Sequence, residues 1–143
     1  MPTRKASAEW QGTLREGNGT FSLGSVPATH AYTFGTRFEE APGTNPEELI
    51  GAALASCFSM AFSGDLGRAG FTPDFVRTKA NVHFNKAEAG FRINKIELDM
   101  EAKVPGIDAA KFQEVAEVSQ KGCTISNAHA AIPEITLNAR LVG

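Results

Sequence analysis

Hydrophobic spacing changes character several times along the chain. Residues 5–10, 20–23 and 31–34 read as short strands, with Gly12, Gly17, Asn18 and Gly19 marking a turn between the first two. Phe34, Thr36 and Phe38 alternate with Gly35 and Arg37, which predicts extended chain with Arg37 on the face opposite the phenylalanines. Pro42-Gly43 closes this section. In Thr44-Asn45-Pro46-Glu47 a helix then starts: Thr44 or Asn45 can cap, Pro46 suits the first helical position, and Glu47 completes a Thr-x-x-Glu capping box. The following stretch, 49–62, places apolar and small residues on every side, which predicts a helix buried all round. Its small side chains allow another backbone to approach closely.

From Val76 the period becomes two. Val76, Thr78, Ala80, Val82 and Phe84 share one face, with Arg77, Lys79, Asn81 and His83 on the other. A turn at 87–90 returns the chain into 91–104, where Ile96, Leu98, Met100, Ala102 and Val104 alternate, but Phe91 and Ile93 have the opposite parity. A bulge near Asn94-Lys95 reconciles the two halves and gives a long antiparallel hairpin. Asp108 caps a second helix to about Lys121, with Phe112, Val115, Ala116 and Ser119 as its inner stripe and Gly122 as its stop. A short helix over 123–131 and a last strand through Ile135, Leu137, Ala139 and Leu141 complete an α+β arrangement, antiparallel sheet packed on helices.

At 143 residues, 42% apolar and 21% charged, the chain has the size and composition of one globular domain over 1–143, with no repeat or linker. A net charge of −2 leaves no basic excess to neutralise a phosphate backbone, which argues against a nucleic-acid partner. The N-terminus is charged and has no apolar core of a secretory signal. The apolar stretch 49–62 is shorter than the roughly 20 residues that cross a bilayer. A cytoplasmic protein without a membrane partner is expected.

Two cysteines in a reducing compartment are either inert packing or redox chemistry. Cys57 sits mid-helix, where burial raises a thiol pKa and no helix end lowers it; Cys123 follows Gly122 and opens a new turn, whose unpaired amides favour a thiolate. Local physics therefore makes Cys123 the lower-pKa thiol. For Cys57 to be the nucleophile a cation must be brought to it, and Arg37 is the leading candidate, its fork held by Glu47, Glu48 or Glu39. His30, His83 and His129 are scattered, and neither Cys-x-x-Cys nor His-x-x-x-His occurs, so no metal site is expected. A Cys–His acyl-transfer site using His129 stays open as a third reading.

Thr36-Arg37-Phe38-Glu39, the run Gly43-Thr44-Asn45-Pro46-Glu47-Glu48-Leu49-Ile50-Gly51-Ala52-Ala53, Ala55-Ser56-Cys57-Phe58-Ser59-Met60, Ala69-Gly70-Phe71-Thr72-Pro73, Val104-Pro105-Gly106-Ile107-Asp108 and Lys121-Gly122-Cys123 together resemble the OsmC/Ohr family over essentially the whole chain. The resemblance implies a thiol peroxidase acting on organic hydroperoxides, and less well on hydrogen peroxide, in defence against oxidative stress and without metal, flavin or other cofactor. It makes Cys57 peroxidatic, Cys123 resolving, Arg37 the activating cation and Glu47 its partner. It further implies an intertwined homodimer, antiparallel β-sheets from both chains wrapped around long central helices, and a dithiol reductant such as a lipoyl protein. One departure stands out: many relatives carry proline after the resolving cysteine, and this chain carries Thr124.

Glu47 and Cys57 are ten residues apart, hence about 15 Å along one helix and about 80° apart around it. That separation leads to the expectation that Glu47 or Arg37 acts on the cysteine of a second protomer. Phe38, Phe58 and Phe62 would suit an alkyl or aromatic peroxide, although phenylalanines are more often plain core. The alternative from another class is a non-enzymatic carrier of an apolar ligand whose cysteines are inert.

Overall fold

The structure, a computed structural model, describes residues 2–143. The chain divides into two compact units, one running to Leu49 and the other Ile50–Gly143.

In the first unit β1 (Ala6–Gln11), β2 (Asn18–Leu23) and β3 (Thr29–Tyr32) form an antiparallel meander. Trp10 and Tyr32 lie across from Gly19 on its two sides. Their rings stand 5.4 Å apart, and a Cβ on Gly19 would lie 2.7 Å from both. Only glycine leaves room for this aromatic contact. The expected extension of residues 34–38 is corrected: α1 (Phe34–Phe38) is helical. The hydroxyls of Thr33 and Thr36 each accept the other residue's backbone N–H, at 3.2 and 2.9 Å, a reciprocal cap that outweighs the alternating pattern. Helical spacing puts Phe34 and Phe38 on one face, ring centroids 5.1 Å apart.

The next helix, α2, spans Pro46–Arg68, 23 residues. It is longer than its apolar stretch suggested, and by length and composition alone it could cross a bilayer. The expected Thr44–Glu47 capping box does not form. Asn45 Oδ1 accepts the Glu48 N–H at 2.8 Å instead, while the Thr44 hydroxyl donates to the Ala31 carbonyl at 2.6 Å.

The second unit holds the remainder of α2, β4 (Phe75–Ala87), β5 (Gly90–Lys103), α3 (Ala109–Gly122), α4 (Thr124–Ala128) and β6 (Glu134–Leu141). Strands β4 and β5 form the predicted hairpin, and the register shifts where His83 pairs with Lys95 but Phe84 with Ile93. Asn94 is the extra residue of that bulge, which brings both apolar series to one face. Strand β6 pairs with β5 in parallel, so the sheet β4-β5-β6 is mixed rather than antiparallel. Asp108 caps α3 by accepting the Lys111 N–H at 2.7 Å, and the predicted stripe Phe112, Val115, Ala116 and Ser119 is buried.

The core lies between α2, α3 and the inner face of β5. Leu54, Phe58, Phe62 and Leu66 of α2 have no exposed surface, nor do Ile96 and Met100 of β5. Phe62 meets Phe112 edge-on at 5.3 Å. The expectation of burial on every side of α2 is corrected. Ala52, Ala53, Ser56 and Met60 are exposed, Met60 at 81%. The long helix is apolar all round, but one chain covers only one flank of it.

Candidate active site

Within the first unit, a local frame fixes one acidic and one basic side chain. Asn45 caps α2 with its oxygen and donates its Nδ2 hydrogen to the Thr36 carbonyl at 3.2 Å, so one side chain ties the end of α1 to the start of α2. Arg37 stands in the last turn of α1 and Glu47 in the first turn of α2. Arg37 Nε donates to Glu47 Oε1 at 2.9 Å, and the guanidinium carbon lies 5.0 Å from the centre of the Phe38 ring. Glu47 is the buried partner at 10% side-chain exposure against 41% for Arg37, and its second carboxylate oxygen is buried without a hydrogen-bond partner among the described residues. Of Glu39, Glu47 and Glu48, Glu47 holds the arginine. A cavity of about 200 Å³ opens beside this pair, lined by Trp10, Leu14, Tyr32, Phe34, Arg37 and Phe38.

Within the second unit the two cysteines meet. Cys57 lies on α2 and Cys123 is the cap residue between α3 and α4. Both are free thiols, and their Sγ atoms are joined by a hydrogen bond of 3.0 Å, in which the thiol that keeps its proton is the donor. Closing that gap to the roughly 2.05 Å of a disulfide needs a movement of about 1 Å. Cys123 is 1% exposed, whereas Cys57 is half-buried on the border between the covered and open sides of α2.

The pair is electrically uneven. Burial pushes the Cys57 thiol up and its contact with Cys123 adds to the rise, against the backbone N–H groups of Ile125 and Thr124, which favour its thiolate. Burial acts against a Cys123 thiolate too, but hydrogen bonding from Cys57 and the N–H groups of Ser126 and Ile125 outweigh it and bring this thiol below its ordinary value. The preference expected from the sequence thus has a structural cause in the first-turn amides of α4. The departure at Thr124 matters here, because a proline would have no N–H to give.

Other candidates fall away. Phe58 and Phe62 are fully enclosed core, whereas Phe38 lines the cavity. His129 caps the end of α4, and among the described residues its buried Nδ1 has no hydrogen-bond partner and no histidine is hydrogen-bonded to either sulfur. Among the described residues, too, no group of three His, Cys, Asp or Glu side chains could hold a metal. The amides after Cys123 are those the sequence points to, whereas the reciprocal Thr33–Thr36 cap is not among its expectations. A Thr-x-x-Thr pair was the one visible signal for that cap.

An α+β fold carrying two reduced cysteines at hydrogen-bond distance is that of a thiol-redox protein. The profile of the OsmC-like protein family matches residues 38–138, a span that includes both cysteines and Glu47. The chain is 50% identical to peroxiredoxin OsmC of Escherichia coli (strain K12) over 96% of either sequence. It is 30% identical to the organic hydroperoxide resistance protein of Xanthomonas axonopodis pv. citri over 66% of either. Among solved structures, the OsmC-like protein of Mycoplasma pneumoniae shares the fold with a TM-score of 0.78 over 99% of both chains at 17% identity. The organic hydroperoxide resistance protein of Elizabethkingia anophelis does so with a TM-score of 0.73 over 100% of this chain and 97% of that one, at 23% identity. The chain belongs to the OsmC-like family, and it is a cysteine-based peroxidase.

Proposed function

We propose that this protein reduces organic hydroperoxides to alcohols through Cys57 and Cys123. The Cys57 thiolate attacks the outer peroxide oxygen, the O–O bond breaks, the alkoxide leaves as alcohol after gaining a proton, and Cys57 becomes a sulfenic acid. Cys123 attacks that sulfur, water departs, and a Cys57–Cys123 disulfide remains, to be reopened by a dithiol such as a lipoyl protein. The observation that carries this reading is the 3.0 Å approach of two free sulfurs. Inert core cysteines have no need of such a contact or of amide donors directed at both sulfurs.

Cys123 is the more acidic partner within the pair, so chemistry at Cys57 calls for a positive charge. Arg37, held by Glu47, is the proposed source, acting within a homodimer on the cysteine of the second protomer. A homodimer is supported by the open face of α2, where Ala52, Ala53 and Ser56 would allow close helix approach and Met60 adds apolar surface. No cofactor takes part, and the reducing cytoplasm is the proposed setting, since the dithiol state must be restored after each turnover. The aromatic cavity beside Arg37 favours an alkyl or aryl peroxide over hydrogen peroxide.

The test is one equivalent of cumene hydroperoxide added to the reduced protein. Both thiols should disappear and one intramolecular disulfide should form per chain, with slower reaction for hydrogen peroxide. Thiols that persist while the protein binds cumyl alcohol would instead establish the apolar-carrier reading.

A further inference from the structure

We propose that the Ser126 hydroxyl is a further residue of the reaction: it donates its hydrogen to the Cys123 sulfur as that sulfur becomes the thiolate that closes the disulfide. This inference rests on the two-cysteine cycle above and adds to it the group that steadies the resolving charge.

The placement follows from the turn that holds Cys123. Cys123 is the N-cap residue of α4, and Ser126 is the third residue of that helix. A cap residue and the third helical residue face one another across the first turn, the relation a capping box uses. In such a box the third side chain is an acceptor. Here the cap is a thiol, and the third side chain has a hydrogen to give.

The Ser126 hydroxyl has no other use. Its oxygen is buried, and among the described residues it has no hydrogen-bond partner. Leaving a buried hydroxyl unpaired costs stability, and alanine would suit a plain helix position better. The hydroxyl is placed to favour a thiolate at Cys123, beside the N–H groups of Ser126 and Ile125. Cys123 is 1% exposed and belongs to the packed core, so a charge on its sulfur needs donors from the protein. A hydroxyl rotor can turn to the sulfur as that charge appears. Both groups lie within one turn of the same chain, so their relation does not depend on what covers the open side of α2.

In the closing step Cys123 gives its proton to water, and its thiolate attacks the sulfur of the Cys57 sulfenic acid. The S–O bond breaks, hydroxide takes up one proton and leaves as water, and the Cys57–Cys123 bond forms. Ser126 keeps its own proton throughout.

Cys57→Ser leaves Cys123 as the single thiol, and titrating it by ultraviolet absorbance needs no peroxide. Adding Ser126→Ala should raise that ionisation by about one pH unit, the effect of one hydrogen bond to a charged sulfur. The amides of α4, His129 in the same turn and Arg37 are present in both proteins, so the shift reads the hydroxyl. An unchanged ionisation overturns the proposal.

The second arm follows closure with Cys57 in place. One equivalent of cumene hydroperoxide is added in the presence of dimedone, and the ratio of disulfide to dimedone adduct gives the closing rate. At pH 6 Ser126→Ala should close about three-fold more slowly than wild type, since a tenfold loss of thiolate is partly offset by the greater nucleophilicity of the more basic sulfur. Once pH exceeds the Cys123 ionisation of both proteins the deficit should vanish. A deficit equal at every pH is a structural effect and overturns the role. If wild type yields neither alcohol nor sulfenic acid, the two-cysteine cycle itself fails, whereas the titration decides the hydrogen bond separately.

Discussion

The sulfurs of Cys57 and Cys123 stand 3.0 Å apart although 66 residues separate them in the chain. Replacing either should therefore fail in a different way. Cys57→Ser should abolish hydroperoxide reduction. Cys123→Ser should still release one equivalent of alcohol and leave a dimedone-reactive sulfenic acid on Cys57, with continued turnover by dithiols strongly slowed. Equal inactivity of the two variants in a single-turnover assay would contradict the division of labour.

Arg37→Ala should reduce kcat/KM for cumene hydroperoxide on the order of 100-fold, the usual effect of losing one preorganised charge-stabilising group. The stability change should be small, about 1 kcal/mol, because the arginine side of the pair is 41% exposed. Mixed dimers of Cys57→Ser and Arg37→Ala subunits should recover activity if the arginine serves the partner's cysteine. No recovery from verified heterodimers counts against that arrangement.

The thiols should titrate unevenly. Followed by thiolate ultraviolet absorbance, Arg37→Ala, in which the pair has only its own surroundings, should lose its first proton below the ordinary thiol range and its second above it, and Arg37 in the wild type should draw the second step down. In Cys123→Ser, Cys57 loses the hydrogen bond and the neighbouring charge that raise it, so its ionisation should move down from the upper step. Thr124→Pro fits the first position of α4 and removes one donor to Cys57, which should move Cys57 ionisation to higher pH with the fold retained.

Asp65 ties α2 to α3. The fully buried Ser119 hydroxyl donates to its Oδ2 at 2.6 Å, and this bond, with the Arg68 guanidinium, holds the carboxyl below its ordinary value despite burial. A depressed carboxyl contributes stability that is complete above its unfolded pKa of about 3.9 and disappears as pH falls through the folded value. Ser119→Ala should cost about 1–3 kcal/mol at neutral pH, and the gap to wild type should narrow below about pH 4 in urea unfolding. A gap that widens in acid would refute this assignment.

Phe62 has no exposed surface and meets Phe112 edge-on at 5.3 Å. Phe62→Ala should cost about 3–5 kcal/mol by chemical denaturation, as expected for a large aromatic removed from a packed core.

Much of the fold was present in local spacing. The two-residue period of β4 and β5, the parity break that located the Asn94 bulge, the Asp108 cap and the stripe Phe112–Val115–Ala116–Ser119 depend only on side-chain periodicity and nearby hydrogen-bonding groups. Residues 34–38 carried two competing local signals, and the reciprocal threonine cap prevailed over alternation because it satisfies backbone donors that an extended segment would leave open. For Glu47 the capping reading was displaced by a charged partner on α1, while Asn45 took the cap.

The sequence by itself determined the candidates for the chemistry: two cysteines, an arginine and a glutamate, each lying in a motif that resembles the family. Tertiary structure alone decided that the cysteines touch, that Glu47 rather than Glu39 or Glu48 binds Arg37, that β6 runs parallel to β5, and that one side of α2 stays open. The reason is physical. A residue's period and capping capacity belong to its own segment, whereas the distance between two sulfurs, and the burial that makes their protons unequal, exist only once separate segments have packed together.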